Sequence, residues 1–112
     1  NYSDWKHDPF AGIIEDEFVY GRGAVDMKGA VAAFITAIAT IQNKYNIANY
    51  GSISLLITAD EEGIALNGTK KAIKWVQEQG EELTACIIGE PTSLKKVGDL
   101  IKVGARGSVT FN

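Results

Sequence analysis

The chain has 112 residues, 46% of them hydrophobic, which is the size of one domain with apolar content enough for a core and excludes an intrinsically disordered chain. Its 14 acidic residues against 11 basic ones leave a net charge of −3 with no basic run, which excludes the electrostatic footprint of a nucleic-acid binder. One cysteine, Cys86, can form no internal disulfide, and its place in the apolar run "ACII" reads as a reduced, buried thiol of a cytoplasmic protein.

The opening "NYSDWKHDPF" is irregular and aromatic-containing, has no starting Met, and reads as the interior of a longer protein; no basic segment followed by an apolar one marks a secretory signal. His7, the one histidine, reads as structural or exposed rather than as a ligand. "EFVY" at 17–20 is a short strand, broken by "GRG" at 21–23, and a loop runs on through Asp26. From about Lys28 to Asn46 the spacing predicts a helix, with Val31, Phe34, Ile35, Ile38 and Ile41 on one face. Its apolar stretch, 29–41, falls short of the ~18 residues of a membrane span, so it is expected in the core and no membrane partner is expected.

"SISLLITA" at 52–59 is β-branched and almost continuously apolar, as a strand covered on both faces would be. A second helix is predicted over 68–79, with Ala72, Ile73, Trp75 and Val76 as its apolar set and Gly80 as its stop. "TACIIGE" at 84–90 is a third strand, ended by Pro91, and "KVGDLIKVGARGSVTFN" reads as short strands with glycine turns. The order β-α-β-α-β predicts an α/β fold, with helices packed on a largely parallel sheet.

Acids follow all three strands: Asp26 after the first, Asp60, Glu61 and Glu62 after the second, Glu90 at the end of the third. Ligands of open α/β sheets bind beyond the carboxyl ends of the strands, so these acids are expected to converge there. Three adjacent carboxylates repel one another unless a cation or proton relieves them, and divalent cations take carboxylate ligands, one of which can bridge two ions. One of the paired glutamates can then bind metal while its neighbour accepts a proton from metal-bound water. The plainer alternative is that such loop acids are solvated or cap the next helix. "GRGAVDMKGA" also resembles a phosphate loop, but Asp26 stands where the third glycine of G-x-G-x-x-G belongs and an acid there opposes phosphate. On composition alone Arg106 is a loop cation, and neither Cys86 nor Met27 has a partner pattern for nucleophile or soft-metal chemistry.

Taken together, "GRGAVDMKG", "TADEEG", "GEPTS" and "VGDLIKVGARGS", in this order and spacing, resemble the co-catalytic zinc deacylases and exopeptidases. "DEEG" followed by "NGT" looks like the branch that hydrolyses N-succinyl-LL-diaminopimelate to succinate and LL-diaminopimelate; the alternatives are a related deacylase or aminoacyl exopeptidase, or a non-catalytic α/β module. The resemblance implies two zinc ions, with cobalt possible in their place. It implies that Asp26 bridges them, that Glu62 binds one and Glu90 the other, that Glu61 is the general acid/base, and that Arg106 meets the substrate's carboxylate. The peptide after the bridging aspartate is cis in that family, which implies a cis Asp26–Met27 bond. The family's two zinc-binding histidines, one in a His-x-Asp pair upstream and one far downstream, have no match in these residues. Residues 1–106 are therefore expected to be part of a catalytic domain and 107–112 the start of a smaller dimerisation domain. The 112 residues are expected to be inactive by themselves, and the full-length enzyme to be a cytoplasmic homodimer with a small-molecule substrate.

Overall fold

The structure, a computed structural model, describes residues 4–46 and 51–104. It divides into two compact units, one of residues 1–40 and 89–112, the other of residues 41–88.

In the first unit the chain opens with an Asx turn, in which the Asp8 carboxylate accepts the Phe10 N–H at 2.9 Å. It then forms a hairpin of β1 (Ile13–Glu15) and β2 (Phe18–Tyr20), antiparallel with Ile13 opposite Tyr20 and Glu15 opposite Phe18. The two-residue loop Asp16-Glu17 has φ of 50° and 66°, the left-handed pair that matches the twist of a tight hairpin. The sequence reading has β2 but not β1, because the Asn-Gly or Asp-Gly signal of such a loop is replaced here by Asp-Glu.

A wide turn, Ala24–Lys28, leads from the hairpin into α1 (Gly29–Lys44). Ala30, Val31, Phe34 and Ile38 are half-buried along one face of α1, and the expected Ile35 and Ile41 are exposed. The helix is thus covered on one side only, and among the described residues no hydrophobic side chain is fully buried. The stretch Ala24–Lys44 is long and apolar enough to cross a membrane by length and composition. Non-helical backbone at Asp26 and Met27 interrupts it, however. The 16 regular residues of α1 extend about 24 Å, short of the roughly 30 Å hydrocarbon layer.

In the second unit α2 (Thr69–Glu78) lies within the predicted range. It half-buries Ala72, Ile73 and Val76 and leaves Trp75 exposed. Gly80, at φ 78°, ends it as expected: Glu81 N–H reaches Val76 O and Gly80 N–H reaches Gln77 O, the paired bonds of a Schellman stop.

The expected strands at 52–59 and 84–90 form no ladder, and the sheet among the described residues is the antiparallel hairpin, not a largely parallel sheet. The reason is physical. β-branched composition makes a segment extended, but a strand exists only where a neighbour takes its N–H and C=O groups, and that neighbour is a non-local partner. Left uncovered, Ile57, Ile87 and Ile88 are exposed, and so is Cys86, which corrects the expectation of a buried thiol.

Candidate metal centre

Asp26 owes its position to glycine. Gly23 takes φ 77°, and a β-carbon there would lie 3.3 Å from Asp26 O and 3.2 Å from Lys28 Cδ. The turn closes through Ala24 N–H to Gly21 O at 3.1 Å and Lys28 N–H to Gly23 O at 2.7 Å, while Gly29 N–H bonds Ala24 O. A β-carbon on Gly29 would fall 2.5 Å from that same carbonyl oxygen, so only glycine fits the close approach. Within the turn Asp26 is extended, at φ −121° and ψ 99°, and the Asp26–Met27 bond is cis, as the resemblance implies. The exposed Asp26 lines an open cavity of about 380 Å³ together with Trp5, Val19, Tyr20, Gly23 and Val25.

Glu90 belongs to the same unit. Its predecessor, Gly89, is packed so closely that a β-carbon would meet Phe34 Cε2 at 2.7 Å, and Ala30 Cβ and Met27 Cε at 3.0 Å each. One packing contact therefore has a neighbour of Asp26 on one side and a neighbour of Glu90 on the other. Downstream of Glu90, Pro91 leads into a closed loop. Thr92 Oγ1 donates to Leu100 O at 2.8 Å, and Gly98 N–H donates to Ser93 Oγ at 2.9 Å. The Asp99 carboxylate accepts from Leu94, Lys95 and Lys96 N–H at 2.9, 2.8 and 3.1 Å. These backbone donors, Leu94 first, hold the Asp99 carboxyl below its ordinary value of 3.8.

The acidic run lies in the second unit. Asp60 neither caps α2, whose N-cap Gly68 has no side-chain cap bond, nor is fully solvated: Oδ1 accepts Ala65 N–H and Oδ2 accepts Asn67 N–H, both at 3.3 Å, which folds the loop that leads into α2. Gly68 closes it, since a β-carbon there would lie 2.6 Å from Asp60 O. Thr58 Oγ1 lies 3.4 Å from Glu61 Oε2, a long hydrogen bond, and Glu61 and Glu62 are exposed. The three carboxylates are thus divided: one builds the loop and two are presented by it.

Carboxylate oxygens suit a divalent cation, so Asp26, Glu62 and Glu90 fit one by donor chemistry. Among the described residues, however, no three His, Cys, Asp or Glu side chains come together in a group that could hold a metal ion. His7 has a structural setting, as expected: its ring lies 4.6 Å from that of Tyr20, and Nε2 is 2.9 Å from Glu15 Oε2 without hydrogen-bond alignment. Arg106 and residues 107–112 lie outside the described residues.

The family model of peptidase family M20/M25/M40 matches residues 1–110, nearly the whole chain. The chain belongs to this family. Family M20/M25/M40 places it among metal-dependent peptidases and deacylases of α/β fold, which bind zinc or other divalent metals and act on small-molecule substrates. No solved structure matches the chain. Loop-building roles such as those of Asp60 and Asp99 are missing from the sequence reading; their signal is an Asx residue a few positions from the backbone donors of a glycine-containing loop.

Proposed function

We propose that the full-length protein is a succinyl-diaminopimelate desuccinylase: a cytoplasmic, homodimeric amidohydrolase with two zinc ions, or cobalt in their place. It hydrolyses N-succinyl-LL-diaminopimelate to succinate and LL-diaminopimelate, a step of lysine and diaminopimelate biosynthesis. The metal-enzyme part of the reading is supported by the packing of Met27 on Gly89, which brings the segments of Asp26 and Glu90 together within a chain matched by the family over residues 1–110, and the choice of substrate by "DEEG" followed by "NGT".

In this reading Asp26, Glu62 and Glu90 would hold the metal, Asp26 serving both ions. When bound, zinc lowers the pKa of its water towards ~7 and polarises the amide carbonyl. Glu61 accepts the proton of the attacking water and returns it to the leaving amine, so that water is divided between the new carboxylate and the new amine. Arg106 pairs with a substrate carboxylate. Residues 1–106 belong to the catalytic domain, where 52–59 and 84–90 join a largely parallel sheet, and 107–112 open the dimerisation domain. The exposure of Ile57, Ile87 and Ile88 supports such pairing.

One observation favours a second reading. The cavity beside Asp26 is lined by Trp5, Val19 and Val25, which suits a less polar acyl or side-chain group and hence a related deacylase or aminoacyl exopeptidase. Assaying the full-length protein with N-succinyl-LL-diaminopimelate and with acetylornithine separates the two, and turnover of the second alone replaces the first reading. Turnover of neither, with no tight zinc or cobalt binding, leaves a non-catalytic module.

A further inference from the structure

Glu90 is fixed from both sides, and the downstream side depends on a residue that has no role in the chemistry above. Upstream, Gly89 is seated against Met27, Ala30 and Phe34 with no room for a β-carbon. Downstream, Pro91 restricts its own φ, and the loop that follows is joined at its base, two residues after Glu90, by Thr92 Oγ1 to Leu100 O at 2.8 Å. Inside that base, three consecutive backbone N–H groups, those of Leu94, Lys95 and Lys96, converge on the Asp99 carboxylate at 2.8 to 3.1 Å. Asp99 N–H in turn donates to Lys96 O at 3.1 Å, and Ser93 Oγ accepts Gly98 N–H at 2.9 Å. A nine-residue excursion from Thr92 to Leu100 is thereby organised around one side chain. Charge-assisted bonds from backbone donors are the stronger kind, and three on one carboxylate specify a single loop conformation.

We propose that Asp99 is a positioning residue for the metal-binding reading of Glu90: by closing the 92–100 loop it sets the direction in which the chain leaves Glu90, and so the carboxylate's approach to its ion. The proposal rests on the metal site described under the proposed function. Removing the Asp99 carboxylate frees three adjacent N–H groups and loosens the loop base on the downstream side of Glu90, while the Gly89 contact on its upstream side is untouched. Asp26, on the other side of the Met27–Gly89 contact, keeps the turn bonds at Gly21, Gly23 and Ala24.

The test titrates the metal-free full-length protein with zinc against a chromophoric chelator, for the wild type, Asp99→Ala and Asp99→Asn. Asp99→Ala is expected to weaken one of the two zinc ions about tenfold or more and to leave the other within twofold, in keeping with the effect of supports behind a ligand. Asp99→Asn is expected to recover part of that loss, because an amide oxygen in the place of Oδ2 still accepts two of the three N–H groups. Wild-type affinity for both ions in Asp99→Ala, or equal weakening of both, overturns the positioning role while leaving the metal site standing. A wild type that binds no zinc overturns the metal site and the positioning role together. If Asp99→Ala shows no cooperative thermal unfolding, Thr92→Val, which removes only the bond at the loop base, takes its place. Selective weakening of one ion then supports the proposal, and unchanged affinity overturns it.

Discussion

Gly89 and Met27 are in direct packing contact: a β-carbon added at Gly89 would stand 3.0 Å from Met27 Cε and 2.7 Å from Phe34 Cε2. Met27 can swing its terminal methyl aside, but the Phe34 ring is fixed by its place on the half-buried face of α1. Gly89→Ala is therefore expected to cost about 1–3 kcal/mol, as overpacking does, and to lower the thermal midpoint of the full-length protein. Because the contact lies between the segments of Asp26 and Glu90, metal affinity should fall as well. A variant with the wild-type midpoint and wild-type zinc affinity would show that the two segments are held by something else.

With the roles proposed above, Glu61→Gln should retain both metals and lose most activity, since a neutral amide cannot accept the proton of the attacking water; removing a general base commonly costs ~10²–10⁴ in rate. Asp26→Ala should weaken both ions. Zinc content by elemental analysis, read beside turnover, distinguishes the two, and equal metal loss in both variants contradicts the division of roles.

The helices and their punctuation were legible because the information is local. The period of Val31, Phe34 and Ile38 and the stop at Gly80 lie within a few residues of the structure they specify. The segments at 52–59 and 84–90 show the opposite: their composition is that of strands, but ladder formation depends on partners that no local pattern names. At the site, the acids stood out by clustering, yet their division did not. Asp60 differs from Glu61 by one methylene and one position, and only the folded loop reveals that its shorter side chain accepts the N–H groups of Ala65 and Asn67, five and seven residues on. Asp99 was visible as part of a motif, while its three donors at 94–96 were not, since Gly98-Asp99 signals a turn without naming the N–H groups that its carboxylate accepts.

Gly68 and Gly80 flank α2 and should respond differently to substitution. At Gly68 φ is −88°, which any residue adopts, but a β-carbon would meet Asp60 O at 2.6 Å, and a backbone oxygen cannot rotate away. Gly68→Ala should displace the loop that presents Glu61 and Glu62, lowering both the thermal midpoint and turnover. Gly80 has open space and needs only a left-handed φ of 78°, which Asn tolerates. Gly80→Asn should cost about 1 kcal/mol or less and leave turnover unchanged. Denaturant unfolding and a turnover assay on both variants check the contrast; a similar loss in the two would mean that the Asp60–Gly68 approach is not what holds the loop.

The Asp99 loop should be acid-labile in a defined sense. Its carboxyl is held below the ordinary 3.8, first by Leu94 N–H and then by Lys95 and Lys96 N–H. A carboxyl whose folded value is depressed binds a proton less readily folded than unfolded, so its stabilisation is present above the unfolded value and is lost as pH falls through the folded one. The loop is therefore at full strength near neutral pH, and loosening should set in only below 3.8. Since Asp99 is solvent-exposed, the effect should be local, read in the amide protection of Leu94, Lys95 and Lys96 rather than in global unfolding. Hydrogen exchange followed by NMR, corrected for the intrinsic pH dependence of exchange, should show higher protection in the wild type than in Asp99→Asn near neutral pH. That difference should shrink in acid, because a protonated Asp99 and an asparagine are both neutral. A difference that persists unchanged below the folded value would mean that the charge on Asp99 contributes nothing to closing the loop.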